Sequence, residues 1–332
     1  MKRENNLISL IADPDNLRLA FWKARKAKDV KMEVAEFRKS LDKNLLTLRN
    51  ELLLGNVQVG QYHYFTIYDP KEREICAASF RERVLHHALM NVCHANFEKY
   101  QIFVSYASRK GKGTYAAINR AKNYQRKYNW FLKLDVCKYF DSIDHCILKQ
   151  LLAKRFKDVV LLNVFYNIID SYETSTDKSL PIGNLTSQYF ANHYLAVADH
   201  YLKEKLQIPA YVRYMDDMVI WSNDKNMLLK IGNEFQLFIE TELNLRLKPF
   251  CLNSTDKGLP FLGYILFPKT ILLNNNSRKR FKNKLKQYNY KLNNDEWNQA
   301  EYQAHVLPLI AFTKHANTYN LRKKFNEMTK TG

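Results

Sequence analysis

The chain has 332 residues, with 52 Lys and Arg against 33 Asp and Glu, a formal net charge of +19. Its hydrophobic share of 46% can build large cores, which excludes wholesale disorder, and 9 Gly and 8 Pro exclude collagen-like or low-complexity architectures. The basic excess is larger than solubility needs and points to a polyanionic partner, nucleic acid above all.

Residues 1 to about 60 read as helical. Leu17, Ala20 and Phe21 recur at helical spacing amid charged residues, and so do Val34, Phe37, Leu41 and Leu45. Residues 61–69 alternate aromatic and β-branched side chains as a strand does, and Asp69-Pro70 ends them. A helix is expected over 79–97, with Phe80, Val84, Leu85, Ala88, Leu89 and Val92 on one face. From Trp130 the segment WFLKLDV is a short apolar strand, and 140–156 (FDSIDHCILKQLLAKRF) continues as an amphipathic helix. A loop over 173–184 leads into a helix over 185–206, which Pro209 stops. Residues 210–222 (AYVRYMDDMVIWS) read as two strands around a tight turn, followed by a helix over 227–243 and strand-like LRLKPF and FLGYILF. Strands and helices in this irregular succession predict an α+β sheet layer rather than a doubly wound one. From Lys269 onward there are thirteen Lys and Arg against four Asp and Glu, so almost half the excess charge sits in the last 64 residues.

Five scattered cysteines (76, 93, 137, 146 and 251), without a C-x-x-C pair, fit reduced thiols rather than a disulfide framework or zinc ribbon. The apolar stretch 7–12 is stopped by Asp13-Pro14-Asp15, too soon for a signal peptide, and no run approaches a membrane span. A soluble, cytoplasmic protein without membrane partners is expected.

Asp216-Asp217 sits at the tip of an apolar hairpin. Two adjacent carboxylates there are costly unless a cation neutralises them, and a hard divalent ion such as Mg²⁺ favours such oxygen ligands. An ordinary polar turn would also accommodate the pair. Asp135 ends the apolar strand at 130–134, where it would serve equally as a cap. Together the three acids can surround two cations, an arrangement suited to activating a hydroxyl nucleophile and stabilising a leaving pyrophosphate.

These segments carry a resemblance. Residues 131–145 (FLKLDVCKYFDSIDH) resemble the first palm motif of reverse transcriptases, YMDD (214–217) their catalytic hairpin, and GLPFLGYIL (258–266) their primer-grip hairpin. The likeness runs in order from about residue 60 to the C-terminus. It implies a right-hand polymerase: an N-terminal helical segment (1–60), fingers (61–128), a palm (129–268, with an insertion at 150–180) and a basic thumb (269–332). It also implies that Asp135, Val136, Asp216 and Asp217 hold two Mg²⁺, with Mn²⁺ able to substitute. On the resemblance, no further nuclease domain is expected after the thumb.

Phe140 lies five positions after Asp135, where the family keeps its sugar-sensing residue, and an aromatic there implies a DNA product; the ring could instead be core. Group II intron and retron-like enzymes carry Gln-Gly then Ser-Pro in the motif that here reads Ile182-Gly183 then Ser187-Gln188. This variant is similar to reverse transcriptases of diversity-generating retroelements, as are 73–75, 81–89, Ser105-Tyr106 and 111–114. The resemblance implies a template repeat RNA copied with frequent errors opposite adenine, and a small basic accessory protein (the accessory variability determinant) as partner. Retron, group II-like or defence-associated reverse transcriptases share the palm, and a catalytically silent RNA-binding scaffold is the non-enzymatic alternative.

By the same likeness Lys71, Arg73, Phe140, Ile182, Gly183 and Gln188 meet the incoming dNTP. Arg offers phosphate a bidentate fork and Lys a mobile charge, although Lys71 would also suit a solvated charged turn. Arg109, Lys110 and Lys112 form a basic, glycine-punctuated loop able to approach a nucleic-acid backbone. Tyr214, Met215 and Gly263 are expected against template RNA or the RNA–DNA hybrid. Lys248 matches a lysine proposed to protonate pyrophosphate, and would equally suit an exposed strand. Residues 278–291 hold seven basic residues and no acid, with Phe281, Leu285 and Tyr288 on one helical face. Arg278, Lys279, Lys282 and Lys286 are therefore expected on the hybrid. His86-His87, lacking ligand-spaced partners, is expected to be structural.

Overall fold

The computed structural model describes residues 6–68 and 72–328. Four helices come first: α1 (Leu7–Ile11), α2 (Pro14–Arg25), α3 (Met32–Lys39) and α4 (Leu41–Leu54). Asp13 caps α2 through the backbone N–H groups of Asp15 and Asn16, with Pro14 at the first helical position, where its missing N–H costs nothing. Next, β1 (Tyr62–Ile67) and β2 (Arg73–Ala78) form an antiparallel hairpin. The long α5 (Phe80–Glu98), capped by Ser79, packs against α2.

The central sheet is antiparallel, in the order β4-β5-β3-β6. Before its first strand comes α6 (Thr114–Lys127), and β3 (Trp130–Leu134) then runs through the middle. Between β3 and the next strand lie α7 (Tyr139–Ser142), α8 (His145–Arg155), α9 (Val159–Asp170) and α10 (Leu185–His200), which ends in a π turn, Tyr201–Lys205. β4 (Tyr211–Tyr214) and β5 (Asp217–Ser222) are the two halves of the acidic hairpin. α11 (Lys225–Leu243) backs the sheet, where Gly232 permits close approach: a Cβ there would lie 3.3 Å from Leu132 and 3.2 Å from Phe250. β6 (Cys251–Ser254) completes the sheet beside β3.

A smaller antiparallel sheet follows, made of β7 (Leu259–Phe261), β8 (Tyr264–Leu266) and β9 (Ile271–Leu273). It carries α12 (Asn275–Asn293), α13 (Gln299–Lys314) and α14 (Tyr319–Met328). The Tyr264 hydroxyl donates to the Phe312 carbonyl (2.7 Å), and Asn317 N–H to the Ile271 carbonyl (2.7 Å), so the closing helices are tied to this sheet. α12 and α13 share a small separate core of Phe281, Leu285 and Val306, with Tyr288 half-buried at its edge as the helical spacing predicts. No described helix is long and apolar enough to cross a membrane.

The helix expected over 140–156 breaks in two. Ser142 turns its hydroxyl onto the Cys137 and Lys138 carbonyls, and Asp144 caps a new helix by accepting from Ile147 N–H (3.0 Å). LRLKPF forms no strand of its own; Leu247 makes a single bridge to Val136, and the neighbouring strand is the polar β6. FLGYILF folds back on itself as β7–β8, because Leu262 and Gly263 both take left-handed backbone angles.

Candidate active site

The three acids of the sequence reading meet at one end of the central sheet. β3 and β5 pair Leu134 with Met218, so Asp135 emerges beside Asp217. Opposite it, Tyr214 pairs with Asp217 and leaves Met215 and Asp216 as a two-residue turn, with Met215 at φ +56°. Beyond Asp135 the backbone is held by residues 246–248: Lys248 N–H donates to the Asp135 carbonyl (2.9 Å), and Cys137 N–H to that of Arg246 (2.8 Å).

Electrostatics couple the acids. Burial raises the carboxyl of Asp217 to about 6; the Lys133 ammonium opposes this, and the charges of Asp135 and Asp216 add to it. Asp216 is raised chiefly by burial and further by Asp135, against its own backbone N–H, Lys248 and Arg73. Lys133 Nζ lies 3.2 Å from Asp217 Oδ2 and Lys248 Nζ 2.8 Å from Asp135 Oδ1. That hydrogen bond to Asp135 raises the pKa of Lys248.

Among the described residues, no three acidic, His or Cys side chains are closed into a ligand cage. The donor set nevertheless fits a hard cation. It offers oxygens alone, its carboxylates disfavour one another's charge, and Asp217 Oδ1 is buried without any hydrogen-bond donor. Two ammonium groups supply the neutralising charge instead.

Below the acidic turn lies a buried polar cluster that the sequence reading missed. Arg213 and Asp199 are both fully buried. Arg213 Nε donates to both Asp199 oxygens (2.8 and 2.9 Å) and Nη2 to Oδ2 (2.6 Å), while Nη1 donates to Asn192 Oδ1 and to the Met215 carbonyl (both 3.1 Å). Burial works against the Arg213 charge, and the Asp199 carboxylate outweighs it. The signal was available: a lone Arg between Val212 and Tyr214, in a strand otherwise apolar or aromatic.

Beside the acids is a cavity of about 600 Å³, lined by Arg73, Lys138, Asp141, Tyr172 and Ile182 among others. It joins two of the expected nucleotide contacts, Arg73 and Ile182, and adds Lys138, Asp141 and Tyr172, none of them expected as nucleotide contacts. Cys76 N–H donates to the Ile182 carbonyl (2.9 Å), which fastens the 180–184 loop to β2. Gly183 stands at φ +122°, and a Cβ there would meet Ile75 Cγ2 at 2.9 Å. Phe140 is half-buried and packs on the core beside Tyr139; its carbonyl accepts from Leu180 N–H (2.9 Å). Gln188 lies outside the cavity lining and accepts from the Ser108 hydroxyl (2.9 Å). Lys71 lies outside the described residues.

The basic loop needs one correction. Arg109 spends its guanidinium inward: Nε and Nη2 on Glu98, Nη1 on the Ile102 and Ser105 carbonyls. It fixes the loop's shape and offers no free fork to phosphate. Lys110 is exposed, and Lys112 sits over the Phe103 ring. The Tyr214 hydroxyl accepts from Thr114 Oγ1 (3.1 Å). Arg278, Lys279, Lys282 and Lys286 all face outward on α12, and Gly263 and Lys279 line one cavity of about 710 Å³. His86 is buried in α5 beside Glu82, and its neighbour His87 is half-buried.

Residues 69–266 match the family model described as reverse transcriptase (RNA-dependent DNA polymerase). The chain belongs to the reverse transcriptase family. Its mixed helices and antiparallel sheets are the right-hand polymerase fold of that family. Among curated relatives, a COX1/OXI3 intron 2 protein of Saccharomyces cerevisiae is 26% identical over 143 residues, covering 41% of this chain and 17% of that protein. The group II intron-encoded protein LtrA of Lactococcus lactis is 23% identical over 211 residues, covering 58% of this chain and 35% of LtrA. The chain thus spans well under half of either relative's length. A telomerase from Candida Tropicalis has a TM-score of 0.49 at 12% identity, covering 65% of this chain and 55% of that one.

Proposed function

We propose that this reverse transcriptase family member is an RNA-directed DNA polymerase whose centre is Asp135, Asp216 and Asp217. The observation that carries the reading is the meeting of these acids at one sheet end, next to a cavity of about 600 Å³ that contains Arg73. Divalent ions, two Mg²⁺ in this reading, would be held by Asp135, Val136, Asp216 and Asp217 and would supply charge neutralisation at the attacking 3′-hydroxyl and the leaving pyrophosphate. The chain's own residues do the rest. Arg73 grips the triphosphate, Ile182 and Gly183 bound the nascent pair, and Phe140 crowds a ribose 2′-hydroxyl. Lys248 holds the proton the pyrophosphate takes up. In this reading, 61–128 act as fingers, 129–268 as palm and 269–332 as thumb, with 1–60 as a helical preface. Template RNA, its hybrid and dNTPs are the partners.

Mg²⁺-dependent dNTP incorporation on a primed RNA tests the proposal. Asp216→Ala should abolish incorporation while leaving the fold and RNA binding in place; retained activity would overturn the site.

The finer reading is a diversity-generating retroelement enzyme making mutagenic cDNA with a small basic accessory protein. Its support is Ile182-Gly183 followed by Ser187-Gln188. A second reading, an intron-type enzyme, is favoured by the likeness to LtrA. Sequencing the bound RNA together with its cDNA separates the two.

A further inference from the structure

Between Glu98 and Asp135 the chain carries nine Lys and Arg and no acid. Most of it is α6 and the loop before it. α6 buries Ala117, Ile118, Ala121 and Gln125, while half-buried Arg120 and Tyr124 and exposed Lys127 form a row along its flank at helical spacing. A helix face that is merely solvated mixes both signs of charge, and this one does not.

Aromatic rings stand beside the cations along that flank, Phe103 exposed and Tyr106 buried beneath. Lys112 Nζ sits 3.5 Å from the Phe103 ring centre and 5.3 Å from that of Tyr106. Arg120 lies 5.5 Å from Phe103 and 6.0 Å from Tyr124. The Tyr124 and Tyr128 rings are 6.1 Å apart, and Lys127 stands 5.6 Å from Tyr128. Phe103 is 66% exposed, a large apolar ring left at the surface with Lys112 over one of its faces. Burial chiefly, and the charges of Arg109 and Arg120 with it, lower the Lys112 pKa against the pull of Glu98.

We propose that the outer side of α6 is a track for single-stranded RNA, an inference that rests on the reading of the chain as an enzyme that copies RNA. Phosphates would relieve the crowded cations, and unpaired bases would stack on exposed rings such as Phe103. A duplex keeps its base faces covered and leaves such a ring unused. An acidic protein would match the charge but gives the ladder of rings no role. The track begins at the catalytic hairpin, where Thr114 donates to the Tyr214 hydroxyl (3.1 Å). It runs along the helix for about 20 Å, at about 1.5 Å per residue.

The test titrates an unstructured, labelled RNA of about 20 nucleotides against wild type, Phe103→Ala and Arg120→Glu/Lys127→Glu. A short primed template with no overhang beyond the copied base is assayed for incorporation in parallel. The charge-reversed variant should lose about tenfold in RNA affinity, and the slope of log affinity on log salt should fall by roughly 1.4, the release from about two phosphates. Phe103→Ala should lose about tenfold with the slope unchanged. Incorporation on the short template should stay at the wild-type rate. Wild-type affinity and slope in every variant would overturn the track, as would equal losses with an RNA–DNA duplex. Should Arg120→Glu unsettle Tyr106 and lower the melting temperature, Lys127→Glu alone serves, on an exposed side chain. A wild-type protein that incorporates nothing would sink the polymerase reading, while the RNA titration would still decide the track.

Discussion

Arg213 holds Asp199 with three hydrogen bonds of 2.6 to 2.9 Å and, from the same guanidinium, holds the Met215 carbonyl. One buried ion pair therefore underpins the turn that presents Asp216. Removing one partner strands the other charge, so Asp199→Ala should cost about 3–5 kcal/mol in denaturant unfolding. The paired swap Asp199→Leu/Arg213→Met removes both charges and should recover most of that loss. Its turnover should nevertheless fall at least tenfold at unchanged primer–template affinity, because the Met215 carbonyl keeps no donor. Wild-type turnover in the paired swap would show that the cluster serves stability alone.

Lys248 touches Asp135 through both its backbone N–H and its ammonium. Lys248→Ala leaves the backbone bond in place and removes the charge. Single-turnover incorporation should slow by about 10²-fold or more, with the apparent affinity for dNTP nearly unchanged, as expected for a proton donor. Lys248→Arg should not rescue it, since guanidinium gives up its proton poorly.

Ile182 borders the cavity proposed for the nucleotide, and Gly183 lets its loop lie against β2. Ile182→Asn should change the spectrum of misincorporation without abolishing synthesis, read by sequencing cDNA; an unchanged spectrum removes Ile182 from fidelity. Gly183→Ala should act otherwise. Its Cβ would press on Ile75 at 2.9 Å in a backbone conformation that disfavours side chains, so the affinity for dNTP should weaken several-fold.

Burial raises the Glu82 carboxyl from 4.5 to about 7, with the Gly60 and Gln61 N–H groups opposing. It lowers His86 from 6.5 to about 3. A raised acid takes up protons on folding, so the Glu82 contribution should weaken stability as pH rises from about 4.5 to about 7. A depressed histidine releases protons on folding, so the His86 contribution should weaken stability as pH falls from about 6.5 to about 3. Glu82→Gln should flatten the first slope and leave the second, as thermal melting across pH will show.

The acidic hairpin, the strand before Asp135 and the helix after the hairpin were legible because their apolar patterning is strong and local. Asp216 and Asp217 sit at a turn that its own strands dictate. Other parts were not. α6 hides its core face in two alanines, an isoleucine and Gln125, and Gln125 earns burial only by bonding Trp221 and the Leu266 carbonyl far along the chain. β6 is CLNS, polar in sequence and recognisable as a strand only beside β3. Arg109 read as a phosphate contact because nothing local shows that Glu98 claims it. Arg213 did stand out as a lone charge in its strand, but its partner Asp199 lies on α10 and is invisible locally.

The separate core between α12 and α13 rests, among the described residues, on three buried side chains, Phe281, Leu285 and Val306. At about 1.5–3 kcal/mol for each buried side chain, it holds much less than the continuous core that joins the helices and the central sheet. Amide exchange should therefore open these helices first, well before the strands that carry the acids. A nucleic acid lying across them would close that local unfolding, so protection there would report occupancy by the hybrid, residue by residue.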